Sequence, residues 1–248
     1  MKIGIIGFGA IGSFLAKHLG KEVAWVADIS PEAKKRFAAS GLKCAFLLSV
    51  PEKCGGADLV VEAASQQAVS LLAKCLLHSD VLIMSVGALA DEKLLKKLVA
   101  AAKKHKRKIH IPSGAIGGTD AISSIGGKLE MIMLETTKPP SSLGRHDAKC
   151  TVIFEGSARE ACRLYPQNVN VSATLSLAGI GFEKTIVRIV SDPAAKANTH
   201  RIFARSKAGT MLLEFENLPS AANPKTSALA LQSALRRIKK INEALQIG

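Results

Sequence analysis

A chain of 248 residues with 48% hydrophobic and 22% charged residues is long enough to bury one large core or two modest ones, and none of its apolar runs reaches the roughly 18 residues of a membrane-crossing helix. The 34 Lys and Arg residues outnumber the 20 Asp and Glu residues and give a formal net charge of +14, which attracts anions. Because aromatic residues make up only 4% of the chain and no nucleic-acid-reading motif accompanies the basic residues, we expect a small anionic substrate and neither a nucleic-acid nor a membrane partner.

The first 112 residues alternate between predicted strands and predicted helices. Buried strands are indicated by the runs KIGIIGF, EVAWVAD, ADLVVEAAS, DVLIMSVGA and KIHIPSG. Helices are indicated between them by AIGSFLAKHLG, SPEAKKRFAAS, the segment at about 66–77 and the basic run KKLVAAAKKHKRK. Since this alternation is typical of right-handed βαβ crossovers, the sequence predicts an α/β fold whose N-terminal domain, residues 1–112, is a Rossmann domain with a doubly wound parallel sheet.

The rest of the chain shows a different pattern. Strand-like alternation is found in KLEMIMLETTK, KTIVRIVSD, HRIFARS and TMLLEFEN, with little helix expected between them. We therefore predict a smaller α+β second domain, residues 113–223, built on an open mixed sheet and serving substrate binding, catalysis and oligomerisation. A long amphipathic helix over about 224–248 closes the chain, beginning near Asn223-Pro224 or, a little later, at Thr226 or Ser227, and we expect it to pack back on the first domain.

The first predicted turn carries the pattern Gly7-x-Gly9-x-x-Gly12 between a strand and a helix, which is the context of a dinucleotide-binding fingerprint. Gly7 permits the tight turn, Gly9 lets the backbone approach a pyrophosphate, and Gly12 allows close packing of helix on strand. Amides at the start of the helix then face the phosphates, so Ala10 and Ile11 join the expected cofactor site.

Asp28 lies at the tip of the second predicted strand. A carboxylate at this position accepts hydrogen bonds from the adenosine ribose and repels a 2′-phosphate, which favours NAD. Lys34 and Lys35 lie a turn or two further on, so the expected cofactor is NAD or NADP. The alternative is that Asp28 only caps the helix that begins in SPEA.

The stretch SGAIGGTDA repeats the tetrapeptide GAIG of the fingerprint at residues 114–117. This second copy lacks the first glycine of the fingerprint, follows Pro112 and comes after the last Rossmann strand. Since ligands of doubly wound folds lie outside the carboxyl ends of the strands, we expect the second copy to face the nicotinamide end of the cofactor and not its phosphates. A plain hinge between domains is the alternative.

A hydride-transfer enzyme needs a proton acceptor beside the reacting carbon, and histidine suits that role near neutral pH. Of the six histidines, His200 in NTHRIF lies at the start of a predicted strand in the second domain, where a substrate domain would meet the cofactor. A surface histidine is the alternative.

The five cysteines are scattered and form no CxxC pair, so we expect free thiols and no metal site. The N-terminal sequence MKIGIIGFGAIG has the glycines of a strand-turn-helix and not the pattern of a signal peptide. Both features favour a cytoplasmic protein.

Eight motifs together resemble the L-aspartate dehydrogenase family, from the first strand to the C-terminal helix. They are GFGAIG, VVEAASQQAV, SVGALAD, SGAIGGTDAI, VIFEGSARE, PQNVNVSATLSLAG, NTHRI and NPKTSALA. The resemblance implies NAD(P)-dependent oxidation of L-aspartate to iminoaspartate, which water converts to oxaloacetate and ammonia, together with the reverse reaction. It also implies a role in supplying iminoaspartate for the pyridine ring of NAD.

The resemblance further assigns roles to single residues. His200 would be the catalytic acid-base, and Ala115 and Asn170 would contact the cofactor near the nicotinamide. Candidates for binding the two substrate carboxylates are Lys138, Lys225 and the amide of Gly117. The motifs EAASQQ and SVGA would line the cofactor cleft, with contacts expected from Ala63, Ala64, Ser65, Gln66, Ser85, Val86 and Gly87.

Two other functions stay open on the sequence. The chain also resembles homoserine dehydrogenase and dihydrodipicolinate reductase in its two-domain plan, so a related reductase is one alternative. A non-catalytic NAD(H)-binding sensor is the other. In each case an exposed sheet face in a small second domain would be covered by a twin subunit, and we expect a homodimer.

Overall fold

The computed structural model describes residues 1–166, 169–220 and 223–245, with the side chains of 223–225 outside that description. The chain divides into two compact units. The first unit comprises Met1–Pro112 and Ala234–Asn242, and the second comprises Ser113–Ser233 and the residues from Glu243 onward. Within the described ranges, no helix combines the length and the apolar character that crossing a membrane requires.

The first unit is built on a six-stranded sheet. Its strands are β1 (Ile3–Ile6), β2 (Val23–Ala27), β3 (Ala45–Leu47), β4 (Leu59–Glu62), β5 (Asp80–Ile83) and β6 (Ile109–His110). They are all parallel and lie in the order β3-β2-β1-β4-β5-β6. This order reverses direction between β1 and β4, which is the switch point of a doubly wound dinucleotide-binding fold, and the predicted Rossmann sheet is confirmed.

Helices connect these strands and cover the sheet. They are α1 (Ala10–Leu19), α2 (Pro31–Ala39), the single turn α3 (Leu72–Cys75) and α4 (Glu92–Lys104). The helix expected at 66–77 is instead a 3-10 segment, Gln66–Leu71, that leads into α3. Every residue of β1 is buried, as a strand covered on both faces requires, and Ile3 and Ile5 pack in one core with Leu15 of α1.

The second unit is built on a five-stranded mixed sheet, as predicted. Its strands are β7 (Leu129–Lys138), β8 (Thr151–Ser157), β9 (Thr185–Ser191), β10 (Asn198–Ser206) and β11 (Gly209–Asn217). They lie in the order β11-β10-β7-β9-β8, with β7 and β9 parallel and the other pairs antiparallel. Two short strands, β12 (Pro219–Ser220) and β13 (Asn223–Ser227), pair with each other.

The expectation of little helix in the second unit is wrong. This unit contains α5 (Thr119–Ile125), which precedes β7, and α6 (Ala158–Leu164) and α7 (Asn170–Ala178), which lie between β8 and β9. A local signal is present for α6: the Ser157 side chain accepts from the backbone of Glu160, and Glu160 reaches back to Ser157 in a capping box. Ile122 of α5 and Leu175 of α7 pack with Ile132 of β7 in the core of this unit.

The last helix, α8 (Ala228–Lys240), begins later than the predicted residue 224 because residues 223–227 form β13. Of the expected starting points, Ser227 is the one observed, since its hydroxyl accepts a hydrogen bond from the Ala230 amide at 3.4 Å. Ala234, Leu235 and Ile238 of α8 belong to the core of the first unit.

Candidate functional site

The loop between β1 and α1 contains three glycines whose surroundings differ. Gly7 has a φ of 95°, and a Cβ atom there would lie 2.6 Å from the Ala63 carbonyl oxygen. A Cβ atom on Gly12 would overlap the carbonyl oxygen of Gly7, because α1 packs directly on the end of β1. By contrast, a Cβ atom on Gly9 would meet no atom within 4 Å. Gly7 and Gly12 are therefore required by packing, whereas Gly9 borders open space.

That open space suits a dinucleotide. Gly9 is the residue that begins α1, and the first amides of a helix have no acceptor within the helix. The amides of Ala10 and Ile11 are thus available to an anion at the positive end of the helix dipole. The residues present fit the pyrophosphate of NAD(P). Gly9 has no side chain to fill the space, and the first amides of α1 donate hydrogen bonds into it at the carboxyl edge of the sheet.

Asp28 lies directly after β2 and is tied to the glycine loop. Its carboxylate accepts hydrogen bonds from the Phe8 amide at 2.7 Å and the Ser30 amide at 2.8 Å. The Arg36 guanidinium donates to the Phe8 carbonyl at 3.0 Å. The alternative of a helix-capping aspartate is not observed, because the side chain that caps α2 is that of Ser30. A carboxylate has about four acceptor positions, so Asp28 retains capacity for the ribose hydroxyls.

Glu62, the last residue of β4, is fully buried and holds two loops together. Its carboxylate accepts hydrogen bonds from the amides of Ala64 (2.8 Å), Ser65 (3.0 Å) and Ser85 (2.9 Å), and from the Ser85 hydroxyl (2.9 Å). Burial raises the pKa of Glu62 above its ordinary value, and these four donors act in the opposite direction. Sequence reasoning missed this role, although an acid that ends an apolar strand in LVVE was a visible signal.

The remaining predicted cofactor residues of the first unit lie at the same edge of its sheet. They follow two neighbouring strands, β4 and β5, beside the glycine loop that follows β1. The structure therefore brings together the following residues: Ala63, Ala64, Ser65, Gln66, Ser85, Val86 and Gly87.

His200 lies on β10 of the second unit with only 5% of its surface exposed. Its Nδ1 atom is 2.9 Å from the hydroxyl oxygen of Thr136, the residue directly opposite on β7. Burial, and then the positive charge of Lys138, lower the pKa of His200 to about 3. The imidazole is therefore neutral at physiological pH and able to accept a proton.

Lys138 is the last residue of β7, two positions beyond Thr136 and on the same face of the strand. Burial lowers the pKa of Lys138 to about 8. The structure thus places a cation close to His200, two residues that the sequence separates by more than sixty positions. The side chain of Lys225, the other candidate lysine, lies outside the described residues.

The second GAIG copy forms a loop that side chains hold in place. The Gly114 amide donates to the Ser233 hydroxyl at 3.0 Å, and the Ala115 carbonyl accepts from the Asn217 side-chain amide at 2.9 Å. Asn217 is itself fixed, because its Oδ1 atom accepts a hydrogen bond from the Ser227 hydroxyl at 2.7 Å. Ala115 is buried and its loop is pinned within the second unit.

Two further predicted residues lie in the second unit. Gly117 packs against the ring of Phe215, which a Cβ atom would approach to 3.3 Å. Asn170 is exposed and is the first residue of α7.

Both parts of the chain match models of known protein families. Residues 7–112 match the family model of the homoserine dehydrogenase NAD-binding domain, and residues 120–241 match that of the aspartate dehydrogenase C-terminal domain. The chain is 44% identical over 269 residues to L-aspartate dehydrogenase of Methanocaldococcus jannaschii, covering 100% of this chain and 99% of that protein. It is 40% identical over 269 residues to L-aspartate dehydrogenase of Methanosarcina acetivorans, with the same coverage. The chain belongs to the L-aspartate dehydrogenase family.

Solved structures agree with membership of this L-aspartate dehydrogenase family. Aspartate dehydrogenase from Thermotoga maritima superposes with a TM-score of 0.84 at 34% identity, covering 100% of this chain and 99% of that one. An archaeal homoserine dehydrogenase solved with NADPH has a TM-score of 0.59 at 15% identity, covering 96% of each chain, and shares the fold alone. The predicted class, an NAD(P)-dependent oxidoreductase with a Rossmann domain, is confirmed.

Proposed function

We propose that this protein catalyses the NAD(P)-dependent oxidative deamination of L-aspartate. L-Aspartate and NAD(P)⁺ give iminoaspartate, NAD(P)H and a proton, and water then converts iminoaspartate to oxaloacetate and ammonia. The observation that carries the proposal is the buried His200 with the partly buried Lys138 beside it, in a chain of this family. A neutral base beside a cation suits a dianionic substrate that loses a proton from its amino group.

In the proposed site, the first unit holds the cofactor. When bound, NAD(P)⁺ supplies an acceptor for the hydride that leaves the α-carbon of the substrate. The amides that follow Gly9 bind its pyrophosphate, and Asp28 accepts from its adenosine ribose. The Glu62 carboxylate keeps the loops after β4 and β5 in place along the cofactor. Ala115 and Asn170 are the residues to which we assign contacts with the nicotinamide.

His200 acts as general acid-base. The neutral imidazole accepts a proton from the substrate ammonium or from the water that attacks the imine, and returns it in the reverse reaction. A dianionic substrate supplies negative charge that offsets Lys138, so its binding raises the pKa of His200 and makes the imidazole a better base.

Binding of the two substrate carboxylates is assigned to Lys138, Lys225 and the amide of Gly117. Lys138 is partly buried, and a charge-assisted hydrogen bond from a partly desolvated ammonium to a carboxylate is stronger than one made in water. The formal net charge of +14 attracts the dianion over a longer range.

Absorbance at 340 nm tests the proposal directly, with purified protein, NAD or NADP, and L-aspartate. The reverse assay contains oxaloacetate, ammonia and NADH. We expect turnover with aspartate that His200→Ala reduces at least about 100-fold while NADH fluorescence still reports cofactor binding. Turnover with homoserine-pathway substrates alone would identify a related reductase, and NADH binding without any turnover would identify a sensor.

We also propose a homodimer formed through the open face of the second sheet. The register places Leu212, Phe203, Met133 and Ile186 in one row across four strands, and Leu212 is 75% exposed. The next row on the same face alternates between acidic and basic residues, which in order across the sheet are Glu214, Arg201, Glu135, Arg188 and Glu155.

A twofold axis brings the same patch of both copies together, so the apolar row of one copy meets that of the other. The charges of the next row are already neutralised by pairing within the sheet, in Arg201–Glu214, Arg188–Glu135 and Arg188–Glu155, and do not oppose the approach of a second copy. Analytical ultracentrifugation tests this expectation. The wild type should sediment as a dimer, and Leu212→Asp should shift it toward the monomer. A wild-type monomer at micromolar concentration would contradict it.

For the cellular role, we propose that the protein acts in the cytoplasm and supplies iminoaspartate for the pyridine ring of NAD. The five cysteines are all free thiols, which supports a reducing compartment. Expression of the chain should restore growth to cells that lack their own source of iminoaspartate, and His200→Ala should not.

A further inference from the structure

The partner of the His200 imidazole is a hydroxyl from the neighbouring strand. Thr136 lies directly opposite His200 in the antiparallel pair of β7 and β10, and the Thr136 Oγ1 to His200 Nδ1 distance is 2.9 Å. Thr136 is 3% exposed and His200 is 5% exposed, so water does not compete for this hydrogen bond. Both side chains come from the interior of long strands, which restricts the movement of either one.

A hydrogen bond at Nδ1 has two consequences for an imidazole. It fixes the rotation of the ring about its bond to Cβ, and it leaves Nε2 as the nitrogen that meets reactants. In neutral imidazole, one nitrogen carries the proton and the other accepts, and the partner of Nδ1 decides which tautomer is stable. For catalytic histidines, this choice is as important as the distance to the substrate.

A hydroxyl differs from a carboxylate in this position. A carboxylate only accepts and therefore favours the tautomer with a proton on Nδ1, whereas a threonine hydroxyl donates or accepts after rotating about one bond. In the neutral ring whose Nε2 takes a proton, Nδ1 carries its hydrogen and the Thr136 hydroxyl accepts from it, and the same hydrogen bond persists in the imidazolium whose Nε2 gives the proton up. A reversible deamination passes through both of these states, and the hydroxyl adds no charge beside the ring in either.

We propose that Thr136 is a positioning residue for the reaction: its hydroxyl holds His200 by Nδ1, keeps the ring proton on that nitrogen and leaves Nε2 free for the reactants. This inference rests on the proposed role of His200 as general acid-base. The positive charge of Lys138 and the burial of the ring keep His200 neutral before substrate binds, which is the state in which the tautomer matters.

Three variants of neighbouring threonines test the inference. Thr136→Val keeps the shape and β-propensity of the side chain and removes only the hydroxyl. Thr136→Ser restores the hydroxyl without the methyl group. Thr137→Val makes the same change one residue along on β7, where Thr137 pairs with Thr199 and the side chain points to the opposite face of the sheet.

We expect kcat for aspartate oxidation to fall at least about tenfold in Thr136→Val, with KM for aspartate and the NADH dissociation constant within about threefold of wild type. Thr136→Ser should recover most of kcat, and Thr137→Val should match the wild type. The pH profile of kcat should also shift in Thr136→Val alone. A Thr136→Val enzyme with wild-type kcat and pH profile would overturn the inference, even with a lowered melting temperature, because a structural role affects stability only.

A spectroscopic readout separates this inference from the proposed reaction. The ¹⁵N chemical shifts of labelled histidine report which ring nitrogen of His200 carries the proton, and His200→Gln assigns the signal. The tautomer population should change in Thr136→Val and not in Thr137→Val, whichever substrate the enzyme takes. An unchanged population would overturn the positioning role, whereas a changed population without aspartate turnover would overturn only the proposed reaction.

Discussion

The tetrapeptide GAIG occurs at residues 9–12 and again at residues 114–117, and its two copies have different structures. In the first copy, Gly9 has a φ of −78° and begins α1. In the second copy, Gly114 has a φ of 70° and starts a loop that leads to α5. Identical local sequence therefore adopts two backbone conformations, and the surrounding residues decide between them.

The two copies are also held by different kinds of contact. Backbone atoms confine the first copy, because α1 lies so close to β1 that the carbonyl of Gly7 occupies the place of a Gly12 side chain. Side chains hold the second copy, through Asn217 and Ser233. A glycine that backbone atoms enclose, such as Gly12, tolerates no added atom, whereas a loop held by side chains tolerates additions that leave those hydrogen bonds intact.

The largest expected effect is a loss of stability, and it separates the alanine variants of the final glycine in the two copies. Gly12→Ala should destabilise the protein by about 3 kcal/mol or more, because the new methyl group overlaps the backbone and α1 must move away from β1. Gly117→Ala should cost at most about 1 kcal/mol, since the Phe215 ring 3.3 Å away has room to shift. Urea unfolding followed by circular dichroism measures both, and equal losses would contradict the contrast between the two loops.

A second difference concerns the buried ionisable group of each unit, the Glu62 carboxylate in the first and the His200 imidazole in the second. The folded pKa of His200, about 3, is below its ordinary value of 6.5, so the unfolded chain binds more protons between these values. Its contribution to stability is therefore complete above pH 6.5 and is lost as the pH falls toward 3. At pH 4 this loss amounts to about 3 kcal/mol.

Urea unfolding at pH 7.5 and pH 4 tests this prediction in the wild type and in His200→Gln. The wild type should lose more unfolding free energy than the variant between the two pH values. Parallel losses in both proteins would show that His200 does not cause the acid sensitivity.

The smallest expected effect concerns NADH affinity, and it separates the alanine variants of the first glycine in the two copies. Gly9→Ala should weaken NADH binding at least about tenfold, with a stability loss of about 1 kcal/mol at most, because the methyl group enters the space proposed for the pyrophosphate. Gly114→Ala should cost about 1–2 kcal/mol of stability through its left-handed φ. Its NADH affinity should stay within about threefold of wild type.

Fluorescence titration with NADH and urea unfolding together check this pair of variants. Full cofactor affinity in Gly9→Ala would show that the open space beside Gly9 does not receive the pyrophosphate.

The sequence predicted those elements whose signals are local. Five strands of the first sheet follow from continuous apolar runs separated by helical periodicity, whereas β3 was not predicted, and the glycine fingerprint follows from its place between strand and helix. The strands of the second unit that alternate clearly were also predicted. The helices α5 to α7 were missed because each has only seven to nine residues, too few for a convincing helical period. The capping box at Ser157 was missed with α6.

The candidate site divides in the same way. His200, Lys138 and Asp28 were selected from the sequence by residue type and position along the chain, and their roles remain predictions. The hydrogen bonds of Glu62 with Ser85 and of Asn217 with Ala115 were not predictable, because they join residues 23 and 102 positions apart. Such contacts depend on strand order, which no local pattern encodes.

By itself, then, the amino-acid sequence determined which segments are strands covered on both faces, where a dinucleotide loop must begin and which histidine is a candidate base. Only the tertiary structure decided that the second GAIG copy is a pinned loop and that Thr136 faces His200. The physical reason is the register of β7 against β10: a shift of one residue would turn every side chain of a strand to the other face and separate the hydroxyl from the imidazole.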